Sequence, residues 1–240
     1  MKVLFFAPVF NQVQELPRVL SEFAEARSGV ELLLVNNGST DGSEVLVQES
    51  GHPWIDLPRN RGVGYGYIAA LDWALERGYE VFGAMAANGK MLPAEIPRLL
   101  APIREGRADW VNGSRFLPGG SSPNLPGFRR GSIPLVNVFV RVAAGAALTD
   151  STCGFRAFRL DLLRRAEFDW HAPWLHTYGF EYYLYAKALL DDRLRCLEVP
   201  VTMRYPEAGR YTKIRAGRDW WAMLKPWLVA RLDGKGFRPA

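Results

Sequence analysis

Four apolar runs near the start of this chain each end in a polar loop whose side chains could hold a nucleotide or another anion. After "KVLFFAPVF" come Asn11 and Gln12, with Pro8 and Phe10 inside the run. Pro8 fixes the exit of the strand and removes a donor, and the Phe10 ring could stack on a base. "VELLLVNN" closes on Asn36 and Asn37, and Ser39 to Asp41 offer capping oxygens to a following helix. "RNRGVGYGY" brings Arg59, Arg61 and the flexible Gly62, Gly64 and Gly66. Backbone NH groups at a helix N-terminus make such a loop an anion site. The fourth loop, Ala86 to Lys90, reads "AANGK" and carries one cation. Later in the chain Arg129 and Arg130 are candidates for a phosphate, because the planar guanidinium binds two oxygens at once.

Loops so far apart in sequence need a scaffold that gathers them. Buried strand-like runs alternate with helical ones: "ELPRVLSEFAEA" places Leu16, Val19, Leu20 and Phe23 on one face, and "LPAEIPRLLAPIREG" reads as a further helix. "PWIDLP", "EVFGAMA" and "ADWVNGSRF" are strand-like. Repeated βαβ units predict an α/β fold with a mostly parallel sheet flanked by helices, in which ligands sit beyond the carboxyl ends of the strands. The second half reads as a Gly/Pro/Ser loop, a helix over Ile133 to Leu148, a helix around "GFEYYLYAKALL", a late strand in "LRCLEVPVTMRYP" and a basic loop feeding a tryptophan-rich helix. That last helix joins Trp220, Trp221 and Trp227 to Arg218, Lys225 and Arg231, the composition of an interfacial amphipathic helix or of one packed on the domain.

Composition narrows the function class. The chain has 240 residues, 48% hydrophobic and 23% charged, enough for one globular domain with its own core. Its net charge of +5 suits an anionic ligand or membrane surface and is too small to suggest nucleic acid. Cys153 and Cys196 fit neither a zinc site nor a disulfide framework and read as reduced thiols of a cytoplasmic protein. No apolar run reaches the roughly 18 residues of a membrane span. The nearest, Ile133 to Leu148, is interrupted by Asn137 and Arg141.

"APVFNQVQELPRVL", "LLLVNNGSTDGS", "LPRNRGVGYGY", "ADWVNGSRFLPGG", "DSTCGFRAF" and "EVPVTMRYPEAGRYTKIR" occur in the order found in family 2 glycosyltransferases of the GT-A fold. The chain most resembles the dolichol-phosphate and polyprenol-phosphate mannose synthase-like enzymes. The resemblance implies a single domain over residues 1–240. Residues 1–116 would bind the donor, 117–217 the acceptor, and 218–240 would form the interfacial or packing helix and tail. It implies an inverting transfer from a UDP- or GDP-linked sugar to a lipid phosphate, by a cytoplasmic protein peripheral at the cytosolic membrane face. Pro8, Phe10, Asn11, Gln12, Asn37, Asp41, Arg61 and Gly62 would then meet the donor, Arg61 supplying the charge that the family often has where Val63 stands. Arg115, Arg129, Arg130 and Arg156 would face the acceptor. Arg210, Lys213 and Arg215 would close over a phosphate. Asp150, and after it Glu181, are candidates for a base or an acceptor orienter; an anionic phosphate acceptor needs positioning more than deprotonation. A soluble or glycan acceptor, or a nucleotide-sugar-binding protein without turnover, are the other readings.

The family's Asp-x-Asp-Gly-Gln loop, which holds Mg²⁺ or Mn²⁺, aligns here with Ala86, Asn88 and Lys90. Ala86 cannot ligate, and Asn88 offers one neutral oxygen where hard cations prefer charged ones. A metal site built in the family's way is disfavoured, and Lys90 is expected to stand in for the ion at the diphosphate. Read alone, "AANGK" also fits a solvated lysine.

Overall fold

In the computed structural model the described residues are 1–26, 28–164, 168–206 and 218–233, with side chains from 221 onward in the last segment. The expected Arg210, Lys213 and Arg215 loop lies outside them.

The alternation of apolar runs and amphipathic stretches becomes β1 (Val3–Val9), α1 (Leu16–Ala26), β2 (Glu31–Asn37), α2 (Ser43–Gln48), β3 (Trp54–Leu57), α3 (Val63–Glu76), β4 (Val81–Ala84), α4 (Ile96–Arg104) and β5 (Trp110–Ser114). The second half adds α5 (Gly127–Ala144), β6 (Arg156–Arg159), α6 (Asp161–Arg164), α7 (Gly179–Leu189), β7 (Cys196–Pro200) and α8 (Arg218–Asp233). The described strands form one sheet in the order β3-β2-β1-β4-β6-β5-β7. Only β6 is antiparallel to its neighbours, pairing Phe82 with Phe158 on one side and Trp110 with Phe158 on the other. The carboxyl ends of β1, β2, β4, β5 and β7 and the amino end of β6 therefore lie along one edge. Strands from both halves of the chain are interleaved in this sheet.

Both faces are covered, which is why the central strands are apolar without alternation. One core holds Phe5, Leu34, Val19, Ile96, Leu100 and Phe155. The other holds Phe6, Tyr67, Phe82, Phe180, Tyr185 and Trp227. In the second core the Trp110 ring is stacked between Phe158 (centroids 4.4 Å apart) and Tyr185 (5.5 Å).

Two elements differ from the sequence expectation. The helix expected over Ile133 to Leu148 runs instead from Gly127 to Ala144. Gly145 ends it at φ 65°, the left-handed cap that favours glycine, and Pro126 precedes its first turn. "DSTCGFRAF" yields β6, a strand of four residues with arginine at both ends, too short and too charged for an apolar period to reveal. The expected C-terminal helix forms, with Trp227 and Ala230 buried against the domain.

α8 is fastened to α7 by a charge. The Lys187 side chain is fully buried and its Nζ lies 2.7 Å from Asp233 Oδ2, which also accepts from the Tyr183 hydroxyl at 2.7 Å. Removing one partner of a buried pair strands the other charge, whereas replacing both with apolar groups is often neutral. Asp233→Ala is expected to lower stability by about 3 kcal/mol in urea unfolding, and adding Lys187→Met should recover most of it. Equal stability of the single and double variants would contradict this role.

Candidate active site

The loops after β1 and β2 are laced to each other. Asn11, at φ 50°, donates its NH to Ser39 Oγ at 3.1 Å and accepts the Thr40 NH at 2.9 Å. The NH of Gln12 reaches Ser43 Oγ at 2.7 Å, and that of Val13 reaches Asp41 Oδ2 at 3.1 Å. Burial works to raise the pKa of Asp41, but hydrogen bonds from the Ser43 side chain and from the Val13 and Ser43 backbone outweigh it and hold the carboxyl below its usual range. Asp41 is thus the pin of this corner, and Phe10 stays half-buried beside it.

The glycine-rich loop is packed against a neighbouring backbone segment. Asn37 accepts the Arg61 NH and donates to the Gly62 carbonyl, so its amide fixes the loop. A Cβ at Gly62 would collide with the His176 carbonyl oxygen, and one at Gly64 with the carbonyls of Leu175 and Thr177. The Tyr65 NH, a donor expected for an anion, binds the His176 carbonyl at 3.2 Å. These glycines allow two backbones to pack closely. Arg61 lies exposed over the Tyr65 ring at 3.7 Å.

At the centre of the edge sits a sealed ion pair. Arg115, just beyond β5, and Asp150 are both fully buried. Arg115 Nε and Nη2 each donate to a carboxylate oxygen of Asp150 at 2.7 Å. The remaining guanidinium donors reach the Tyr205 hydroxyl at 2.6 Å, Thr152 Oγ1 at 2.5 Å and Met203 Sδ at 3.7 Å. Burial alone would lower the pKa of Arg115, but the hydrogen bonds and charge of Asp150 raise it, so the guanidinium stays charged. The backbone around Asp150 is held from three sides. Glu198 of β7 accepts the NH groups of Thr149 and Asp150, Asn112 of β5 donates to the Asp150 carbonyl, and Asn137 of α5 bridges Thr149 and Ser151.

Above this pair lie cations with open surface. The Ala86–Lys90 loop follows β4 and is tied to the segment after β7, where the Arg204 NH donates to the Lys90 carbonyl at 2.8 Å. Tyr205 is thereby placed between three cations: Arg115 at its hydroxyl, Lys90 Nζ 5.4 Å from its ring centre and the Arg129 guanidinium 6.0 Å away. Lys90 and Arg129 are half-buried, and Arg130 is exposed. The Lys90 amine is pushed down to about 8 by burial first, then by Arg129 and Arg115, with Glu15 opposing.

Arg156 and Glu181 divide differently from expectation. The Arg156 guanidinium is buried and donates to the carbonyls of Cys153 and Glu181, so it supports the wall of the site. Asp150 has both oxygens engaged by Arg115 and Thr152. The Glu181 carboxylate is half-buried near Gly154 and Met91, and among the described residues it has no hydrogen-bond partner. Of the two expected acids, Glu181 is therefore the one with oxygens available. A cavity of about 350 Å³ opens beside the pair, lined by Phe116, Pro134, Asn137, Val138, Arg141 and Thr149.

Sequence reading missed Tyr205, Asn112, Asn137 and Glu198. Asn137 carried a signal, as a buried amide inside an apolar helix. Tyr205 carried none, because its role depends on the register between β7 and the Lys90 loop.

The glycosyl transferase family 2 profile matches residues 5–166. The undecaprenyl-phosphate mannosyltransferase of Micrococcus luteus is 35% identical over 87% of this chain and 86% of its own length. The polyprenol monophosphomannose synthase of Mycolicibacterium smegmatis is 32% identical over 87% and 79%. Among solved structures, glucosyl-3-phosphoglycerate synthase of Mycobacterium tuberculosis, in complex with Mn²⁺, UDP-glucose and phosphoglyceric acid, covers 97% of this chain and 80% of its own. Its TM-score is 0.67 at 18% identity, a likeness of fold.

The position of Lys90 sets a pH dependence. Its amine is half charged near pH 8, so the cation is essentially complete below about pH 7 and is lost as pH rises through 8. Pyrophosphate affinity, followed by calorimetry, is expected to be flat below about pH 7 and to weaken by up to about tenfold per unit above pH 8. Lys90→Arg, which does not titrate there, should flatten the profile. A wild-type profile that stays flat through pH 9 would contradict this assignment.

Proposed function

Because the chain belongs to glycosyl transferase family 2, we propose that it transfers a sugar from a nucleoside-diphosphate donor to a polyprenyl phosphate at a membrane surface. The observation that carries this reading is the half-buried pair of cations, Lys90 and Arg129, at the carboxyl edge of the sheet over a neutralised Arg115–Asp150 floor. A phosphate acceptor brings its own negative charge and requires cations and a fixed approach. In the step, an acceptor phosphate oxygen bonds to the anomeric carbon as the bond from that carbon to the donor diphosphate breaks on the opposite side. Negative charge gathers on the departing diphosphate, where preorganised cations stabilise it most. Phe10 and the laced Asn11–Asp41 corner would receive the nucleoside. Glu181 would hold sugar hydroxyls, since no proton need be taken from the acceptor. The likeness to two prenyl-phosphate mannosyltransferases supports this acceptor class.

Membrane contact is supported by two neighbouring helices. Along one face of α5, Phe128, Leu135, Val138 and Val142 are exposed by 57–76%, and α8 exposes Trp221, Leu228 and Leu232. Single exposed apolar residues are ordinary, but two such stripes on packed helices mark an interaction surface. Arg130, Arg141 and Arg231, exposed on the same two helices, suit anionic headgroups. Among the described residues no helix is long and apolar enough to cross a membrane. Contact would therefore be peripheral, with the prenyl chain entering beside Phe116 and Val138.

Incubation with UDP- and GDP-sugars is expected to release nucleoside diphosphate only when undecaprenyl phosphate is supplied in vesicles. The variant Leu135→Ser/Val138→Ser/Val142→Ser should bind anionic vesicles at least about tenfold more weakly. Release that is equally fast without prenyl phosphate, or no release with any donor, would overturn the assignment.

A further inference from the structure

The family's divalent ion does not fit the residues on the loop after β4. A hard dication wants several anionic oxygens. Ala86 supplies none, and its NH is turned to Met91 Sδ at 3.2 Å. The Asn88 side-chain oxygen Oδ1 is neutral and already accepts the Lys90 NH at 3.2 Å. Among the described residues no three His, Cys, Asp or Glu side chains converge anywhere.

What converges there is positive charge. Lys90 is close enough to Arg129 and Arg115 for each to perturb it electrostatically, and Glu15 is the acid that opposes them. Arg115 is neutralised by Asp150. Lys90 and Arg129 are both half-buried and both lie against the Tyr205 ring, at 5.4 and 6.0 Å from its centre. Relative to a loop with two carboxylates, Ala86, Asn88 and Lys90 together shift the formal charge by about +3, more than a divalent ion supplies. The loop is also held from two sides. The Arg18 guanidinium lies against Gly89, whose φ of +67° favours glycine, and the Arg204 NH holds the Lys90 carbonyl.

We infer that the Lys90 ammonium, with Arg129 beside it, binds and neutralises the donor diphosphate in place of a divalent ion. This rests on the nucleoside-diphosphate donor proposed above. In transfer, the bond between the anomeric carbon and the diphosphate oxygen breaks, and the charge left on that oxygen is met by the Lys90 ammonium. No proton need move. The residue acts as a fixed countercharge, which avoids the need to recruit an ion before each turnover.

The test is calorimetric binding of UDP and GDP, and of uridine and guanosine, each in EDTA and in Mn²⁺. Wild-type protein is expected to bind a nucleoside diphosphate with the same affinity in both buffers. Lys90→Met should lose about tenfold or more for the diphosphate, unrescued by Mn²⁺, while its affinity for the matching nucleoside is unchanged. Lys90→Arg should retain most of the diphosphate affinity. Thermal melting of each variant checks that it is folded, and the wild-type comparison needs no variant. Binding of the diphosphate only with Mn²⁺, or an unchanged Lys90→Met, would overturn the inference and leave the donor reading standing. Failure of folded wild-type protein to bind any of the four compounds would overturn both.

Discussion

The site depends on one sealed interaction, the pair between Arg115 and Asp150. Burying two charges is costly unless their remaining donors and acceptors are satisfied. Here they are: the guanidinium is shared among Asp150, Thr152, Tyr205 and Met203, and the carboxylate also takes the Arg115 and Thr152 NH groups. The pair draws together the end of β5, the segment before β6 and the extension of β7, which come from distant parts of the chain. Antiparallel β6 makes this geometry feasible by delivering the Asp150 segment to the same edge as the carboxyl ends of the parallel strands.

Because Arg115 is neutralised internally, it shapes the electrostatics of the cleft less than its place in the sequence suggests. Its contribution is to fix Tyr205, against which Lys90 and Arg129 rest. The same separation of roles holds elsewhere. Asn37, Gly62 and Gly64 fit the third loop to the backbone at 175–177, and Arg156 supports the wall. Residues of the right type to bind a ligand are thus divided into a buried set that maintains shape and a smaller half-exposed set that offers charge: Lys90, Arg129 and Glu181.

The βαβ alternation and the gathering of loops at one edge were legible because apolar runs and helical periods are local. Of Leu16, Val19, Leu20 and Phe23, expected on one face, three are buried and Leu20 is partly buried. β6 was not legible, because four residues framed by arginines owe their strand to neighbours on both sides. The α5 boundaries were misplaced since Gly127 to Ser132 lack an apolar period, yet helix forms there. Within the site, residue type pointed to the correct stretches but could not separate sealed from accessible groups. Nothing in "NGSRF" or "DSTCGFR" says that Arg115 and Asp150 satisfy each other. That outcome is fixed by Glu198, Asn112 and Asn137, each on a different element.

The central claim is that a half-buried lysine cation over a neutralised floor takes the place of a metal at the donor diphosphate. It is tested most directly by a crystal structure of the protein soaked with UDP or GDP in the presence of Mn²⁺. The account predicts a diphosphate oxygen within hydrogen-bond distance of Lys90 Nζ, Arg129 alongside, the Arg115–Asp150 pair intact beneath, and no manganese signal in anomalous scattering. Manganese bound between the diphosphate and the Ala86–Asn88 loop, or a diphosphate seated away from Lys90, would contradict it.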